Sequence, residues 1–215
     1  MQNIKAVIFD LDGTLLDTLA DLKNSLNAAL SLHGLPTRTT DEVRRFVGNG
    51  LSQLVKRALG TEYAACHTAV LADTRKLYAE KCRENTAPYA GILPLLQTLH
   101  DRGIRLAVVS NKPDAQVKTL CADFFGGLIT AAVGQREGVP LKPAPDSVLE
   151  AMSALGVKPE SCVYAGDSDV DVQTAANAGI PCISVLWGFR DKDFLTAHGA
   201  SCFVSSPEEI NTLIS

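Results

Sequence analysis

Five short runs of apolar, often β-branched residues, each nearly continuous rather than alternating, constrain this chain more than any other feature. They are Ala6-Val7-Ile8-Phe9, Leu106-Ala107-Val108-Val109, Leu128-Ile129-Thr130-Ala131-Ala132-Val133, Cys162-Val163-Tyr164-Ala165 and Cys182-Ile183-Ser184-Val185-Leu186. A strand without a polar side must be buried on both faces, which is the situation of a parallel sheet covered by helices. Helical patterns lie between the runs. Leu93, Leu96 and Leu99 precede a stop at Gly103, Pro145 to Leu155 ends at Gly156, and Ala175 to Ala178 closes at Gly179. This alternation predicts an α/β fold built on a Rossmann-like open parallel sheet.

From about Leu15 to Thr86 the alternation stops and only helical patterns remain. Leu19, Leu22, Leu26, Ala29 and Leu30 form one stripe, ended by Gly34 and Pro36, and Thr39 with Glu42 makes a capping box for the next helix. Glu62 to Glu84 reads as one long helix or two short ones. The expected organisation is a core of residues 1–14 and 87–215 interrupted by a small α-helical cap domain at 15–86, the plainer alternative being a helical face of the same domain. The 215 residues, 46% of them hydrophobic, suffice for one large core and such an accessory domain.

Charge and cysteine usage narrow the function. A net charge of −4 offers no basic field for a nucleic-acid backbone, so no nucleic-acid partner is expected. No apolar run approaches the ~20 residues that span a bilayer, and Met1-Gln2-Asn3-Ile4-Lys5 shows no signal-peptide pattern. The six cysteines, Cys66, Cys82, Cys121, Cys162, Cys182 and Cys202, are scattered without zinc-binding spacing, as expected of free thiols in a cytoplasmic protein.

The chemistry concentrates at the ends of the apolar runs. Asp10-Leu11-Asp12-Gly13-Thr14 follows the first, and open α/β sheets bind ligands at the carboxyl ends of their strands. Two carboxylates two positions apart on an extended end point the same way and repel unless a cation or proton separates them. A helix cap would explain one Asp but not both. An EF-hand loop would need Gly and Glu where Leu15 and Asp21 stand. A second acidic group, Gly166-Asp167-Ser168-Asp169-Val170-Asp171, follows the fourth run. Its oxygen donors suit Mg2+, or favour a helix N-terminus through its dipole. Ser110-Asn111 ends the second run, where hydroxyl, amide and backbone N–H groups can meet an anion or cap a helix. Lys142 stands in Leu141-Lys142-Pro143-Ala144-Pro145, its backbone restricted by the prolines.

Taken in order, these four signals resemble the motifs of the haloacid-dehalogenase-like (HAD) hydrolase superfamily, over almost the whole chain. The helical insertion directly after DxDGT resembles the helical-cap type. Asp17-Thr18, Val47-Gly48-Asn49-Gly50 and Trp187-Gly188-Phe189-Arg190 make the phosphoglycolate phosphatases of that type the most similar group. The resemblance implies a Mg2+-dependent phosphatase of a small phosphorylated metabolite, 2-phosphoglycolate first. Pyrophosphate, nucleotide monophosphates and phosphosugars stand behind it. It implies Asp10 as nucleophile forming an aspartyl phosphate, and Asp12 as general acid and base. Mg2+ would be held by Asp10, the main-chain carbonyl of Asp12, and Asp167, with Asp171 holding a metal-bound water or steadying Lys142. Ser110, Asn111 and Lys142 would bind the substrate phosphate. Arg45, Gly48 and Asn49 would reach the site from the cap, Gly48 and Gly50 serving equally well as turn residues. Asp12 and Asp167 disfavour a dehalogenase, and Asp171 favours a phosphatase over a phosphosugar mutase. A phospho-Asp switch of the response-regulator kind would be shorter and would lack the insertion.

Overall fold

The computed structural model describes Met1 and residues 3–214. In chain order the elements are β1 (Ala6–Phe9), β2 (Leu16–Asp17), α1 (Leu19–Leu32), α2 (Thr40–Phe46), α3 (Leu51–Leu59), α4 (His67–Lys81) and β3 (Ala87–Pro88). They continue as α5 (Ile92–Asp101), β4 (Arg105–Pro113), α6 (Asp114–Phe125), β5 (Ala131–Gln135), α7 (Asp146–Leu155) and β6 (Cys162–Gly166). The last are α8 (Asp169–Asn177), β7 (Cys182–Val185), α9 (Lys192–Ala197), β8 (Phe203–Val204) and α10 (Pro207–Leu213). The chain divides into two compact units, Met1–Leu16 with Pro88–Ser215, and Asp17–Ala87. No helix among the described residues is long and apolar enough to cross a membrane.

The larger unit is a six-stranded sheet in the order β5-β4-β1-β6-β7-β8, with parallel pairing throughout. The continuous apolar runs sit at its centre, where β1 and β6 are buried at every residue. Ile8, Ala107, Val109 and Tyr164 face one side and pack under Val148, Ala151, Met152 and Leu155 of α7 and Ala175 of α8. The alternate residues Val7, Phe9, Leu106 and Val108 are equally buried on the other side, where α5 packs on β4. The helix expected from Leu93, Leu96 and Leu99 is α5, but its buried stripe is Ile92, Leu95, Leu96 and Leu99, and Leu93 points to solvent. β5 starts at Ala131, not Leu128, because Gly126 to Leu128 first form a 3-10 turn.

Two departures from regularity place the site. From β1 the chain builds outward through β4 and β5, then returns to lay β6 against the other edge of β1, so the topological switch point lies between β1 and β6. β4 runs past its expected end at Val109 through Ser110, Asn111 and Lys112, and its register with β5 shifts between Val109 and Pro113. A bulge of this kind re-aims side chains. Gly134 of β5 lets the bulged backbone pass, since a Cβ there would stand 2.7 Å from the Lys112 carbonyl oxygen.

The smaller unit consists of helices α1 to α4, with Leu22, Leu26, Leu30, Val43, Leu54, Val55, Val70 and Tyr78 buried. The expected capping box opens α2: Thr39 accepts from the Glu42 amide, and the Glu42 carboxylate accepts from the Thr39 amide at 2.7 Å. The 62–84 segment forms a 3-10 turn, Ala64–Cys66, followed by α4. Asp21, buried at the start of α1, accepts hydrogen bonds from the backbone and side chains of Asn85 and Thr86, fastening the unit's last residues to its first helix.

Candidate active site

Asp10 is the first residue beyond β1, held by its amide donating to the Ala165 carbonyl at 2.9 Å. Its Oδ1 accepts from the Lys142 ammonium at 2.8 Å. Lys142 arrives from the segment after β5, its peptide bond to Pro143 being cis. The same Nζ reaches Asp171 Oδ1 and the Tyr164 hydroxyl, both at 2.8 Å, and the Val109 carbonyl at 3.1 Å. An ammonium has three N–H donors, so four oxygens share three hydrogens. All of these groups are buried. Groups from the end of β1, from β4, from β6 and from α8 therefore converge on one cation.

Asp167, directly after β6, is set from two sides. Thr14 Oγ1 donates to its Oδ1 at 3.3 Å and the Phe189 amide donates to its Oδ2 at 2.7 Å. The Trp187 indole donates to the Thr14 carbonyl at 2.9 Å, so the segment after β7 and the turn after β1 are tied together around this carboxylate. Neither Gly13 nor Gly188 tolerates a side chain. A Cβ on Gly13 would fall 2.4 Å from Asp167 Oδ2, at a φ of +89°, and one on Gly188 would fall 2.3 Å from Asp167 Cβ.

Carboxylate crowding governs the electrostatics. Burial pushes the Asp10 carboxyl well above its ordinary range. Lys142 pulls it back, while the Asp171 and Asp167 carboxylates push it further up. Burial and then Asp171 raise Asp167 to about 7, against the Phe189 amide and Arg190. Desolvation works against the Lys142 ammonium, but Asp10 and Asp171 outweigh it and hold it charged. Oxygens of Asp10, Asp167 and Asp171 lie within 4.8 Å of one another. Buried like charges at this spacing want a cation, and oxygen donors of this kind suit Mg2+. Asp171 is the least available of the three. Its Oδ1 accepts from Lys142 and Tyr164, and its Oδ2 from the Ser168 amide and hydroxyl at 3.1 and 2.6 Å.

A family model for haloacid dehalogenase-like hydrolases matches residues 7–185 of the chain. The chain belongs to that family. Among similar proteins, the phosphoglycolate phosphatases of Pseudomonas putida and Xanthomonas campestris pv. campestris are each 32% identical to it. The first match covers 94% of this chain and 74% of the relative, the second 96% and 94%. A provisionally named phosphoglycolate phosphatase from Lactobacillus delbrueckii subsp. bulgaricus, solved by crystallography, superposes with a TM-score of 0.93 at 38% identity, over 99% of this chain and 98% of that one.

In this haloacid dehalogenase-like hydrolase several side chains stand where sequence reasoning did not look. Lys112, buried in the β4 bulge, places its Nζ 2.7 Å from Asp12 Oδ1. It was overlooked because a lone Lys ordinarily marks solvent, though its position directly after Ser110-Asn111 was a usable signal. Tyr164 read as strand filler, yet its hydroxyl lies between Lys142 and Asp171. Asn111, expected at the substrate phosphate, also pairs its side chain with the Lys142 peptide group. Its Nδ2 donates to the Lys142 carbonyl at 3.0 Å and its Oδ1 accepts from the Lys142 amide at 2.8 Å. A carboxamide matches a peptide group donor for acceptor, so Asn111 positions Lys142. The Ser110 hydroxyl accepts from the Lys112 amide at 3.3 Å. In the helical unit, Arg45 lies in the last turn of α2 and Gly48 in the loop leading to α3. Asn49 Oδ1 accepts from Arg57, which also binds the Phe46 carbonyl, while Gly48 and Gly50 take φ of +125° and +80° as turn residues.

Proposed function

We propose that this hydrolase is a Mg2+-dependent phosphatase of a small phosphorylated metabolite, 2-phosphoglycolate foremost, working through an aspartyl phosphate on Asp10. The observation that carries the reading is the buried Lys142 ammonium, bound at once to Asp10 and to Asp171. It presents a carboxylate and a fixed positive charge to one incoming phosphoryl group. The similarity to phosphoglycolate phosphatases supplies the substrate class.

In the first half-reaction an Asp10 oxygen attacks phosphorus, the bond from phosphorus to the ester oxygen breaks, and Asp12 gives its proton to the departing oxygen. In the second, Asp12 takes a proton from water as the water oxygen attacks the aspartyl phosphate. The acyl–phosphate bond breaks, inorganic phosphate leaves and Asp10 is restored. Lys142 and Ser110 neutralise phosphoryl oxygens as charge spreads over them. Asp171 and Tyr164 keep Lys142 in place, and Asn111 fixes its backbone. Asp10, the Asp12 carbonyl and Asp167 would hold Mg2+, which when bound offsets the charge of the phosphate and of the carboxylates around it. We assign residues 15–86 the part of a cap that selects the substrate, with Arg45, Gly48 and Asn49 as its contributors. We place the enzyme in the cytoplasm, a setting in which its free cysteines would remain reduced.

Phosphate release from 2-phosphoglycolate, pyrophosphate, a nucleotide monophosphate and a phosphosugar, each with and without Mg2+, tests the reading. Asp10→Asn, nearly isosteric, should lower kcat by on the order of 10⁴-fold or more while leaving the unfolding midpoint near that of the wild type. Substantial turnover by that variant would remove the covalent mechanism. Transfer of phosphate to a second substrate hydroxyl, with none released, would mark a mutase.

A further inference from the structure

The Asp12 carboxylate is not alone at the place where the ester oxygen departs. Lys112 brings a second buried ammonium there, 2.7 Å from Asp12 Oδ1, with only 3% of its side chain exposed. Burying an ammonium is costly even when a carboxylate pairs with it, so such a pair adds little to stability. The fold also goes to some length to achieve it: β4 bulges, and Gly134 makes room for the Lys112 backbone. Lys142 already serves the phosphoryl side of the site through Asp10. Lys112 is paired instead with Asp12, the acid.

We propose that Lys112 is a specificity-determining residue that selects phosphate compounds whose leaving group carries its own negative charge. This rests on the phosphatase reading above and deepens it. A general acid works within about 2.6–3.2 Å of the atom it protonates, so an ammonium hydrogen-bonded to that carboxylate is separated from the leaving oxygen by no more than two hydrogen bonds and the carboxylate between them. In 2-phosphoglycolate the carboxylate is one carbon from that oxygen. In pyrophosphate the charge is on the leaving phosphate itself. Either would bring its charge into a site already crowded by the Asp10, Asp167 and Asp171 carboxylates, and Lys112 is the cation that makes the approach favourable. The leaving oxygens of phosphosugars and nucleotide monophosphates bring no charge of their own and gain nothing from it. The shared chemistry is an anionic leaving group, and the two sources are separable by assay.

The test compares kcat/KM for 2-phosphoglycolate, its uncharged amide analogue 2-phosphoglycolamide, and pyrophosphate, in wild type, Lys112→Gln and Lys112→Arg. The wild type should prefer one or both charged compounds to the amide by at least about tenfold. Lys112→Gln should cut that ratio at least about tenfold, and Lys112→Arg should retain most of it. The charged compound whose ratio collapses is the one Lys112 serves. An equal loss by Lys112→Gln on charged and uncharged compounds would overturn the proposal, leaving Lys112 as a support for Asp12 alone. So would a wild-type ratio near one, which needs no variant to fold. Turnover of none of the compounds by the wild type would remove the phosphatase reading, and this inference with it.

Discussion

Single atoms decide how the Asp167 carboxylate is presented at the site. Asp167 is useful only if its carboxylate points one way, and the Thr14 hydroxyl and Phe189 amide hold it there. The Phe189 amide can approach because Gly188 has no side chain to strike Asp167 or the Gly13 carbonyl. Groups that orient a metal ligand are typically worth ~10–100-fold in metal affinity. Gly188→Ala should therefore raise the Mg2+ concentration needed for half-maximal activity by about that factor, measured by Mg2+ titration of turnover and of thermal stabilisation. An unchanged titration would mean the loop relaxes at no cost to Asp167. Tyr164 works at the same scale. Its hydroxyl lets a buried carboxylate and a buried ammonium share a polar neighbour, where burial without such partners would be costly.

At the level of elements, two helices begin with the same device and use it differently. Thr39 and Glu42 close a capping box on α2, and Ser168 and Asp171 close one on α8. In α2 the acidic partner ends its work at the cap. In α8 the same carboxylate turns its second oxygen to Lys142 and Tyr164, so the helix start is also part of the site. Thr39→Ala and Ser168→Ala should each cost about 1 kcal/mol in urea unfolding. Only Ser168→Ala should also reduce kcat, because it frees Asp171 to move and loosens Lys142. Equal kinetic effects, or none in either, would separate the α8 cap from catalysis. The β4 bulge is the other element with a double task, sending Asn111 to Lys142 and Lys112 to Asp12 from consecutive positions.

For the molecule as a whole, the gathered carboxylates set how stability depends on pH. Asp167 titrates at about 7 in the folded protein, against 3.8 for an ordinary Asp, and Asp10 is raised as well. Between those values the folded state binds more protons than the unfolded state, so unfolding free energy falls as pH rises. In the metal-free protein this loss should run from about pH 4 to about pH 7. Asp167→Asn should flatten it. Mg2+ at the proposed site would bind the ionised groups, and so should raise Tm more at pH 7.5 than at pH 5. A metal-free protein that grows more stable across that interval would contradict the crowding of these acids.

Five of the six strands of the sheet, their alternation with helices, and the positions of Asp10, Asp12 and Asp167 just beyond strands were legible in the residues, whereas the short β2, β3 and β8 and the continuation of β4 past Val109 were not. Burial on both faces and turn chemistry are local demands that a one-dimensional pattern must satisfy. The contacts of Lys112, Tyr164 and Asn111 with Asp12, Lys142 and Asp171 were not legible. Each depends on which buried group another strand brings within hydrogen-bonding distance, and a bulge between Val109 and Pro113 leaves no periodic trace. Local sequence determined where charges would stand; only the packing of β1 between β4 and β6 decided which of them would face one another.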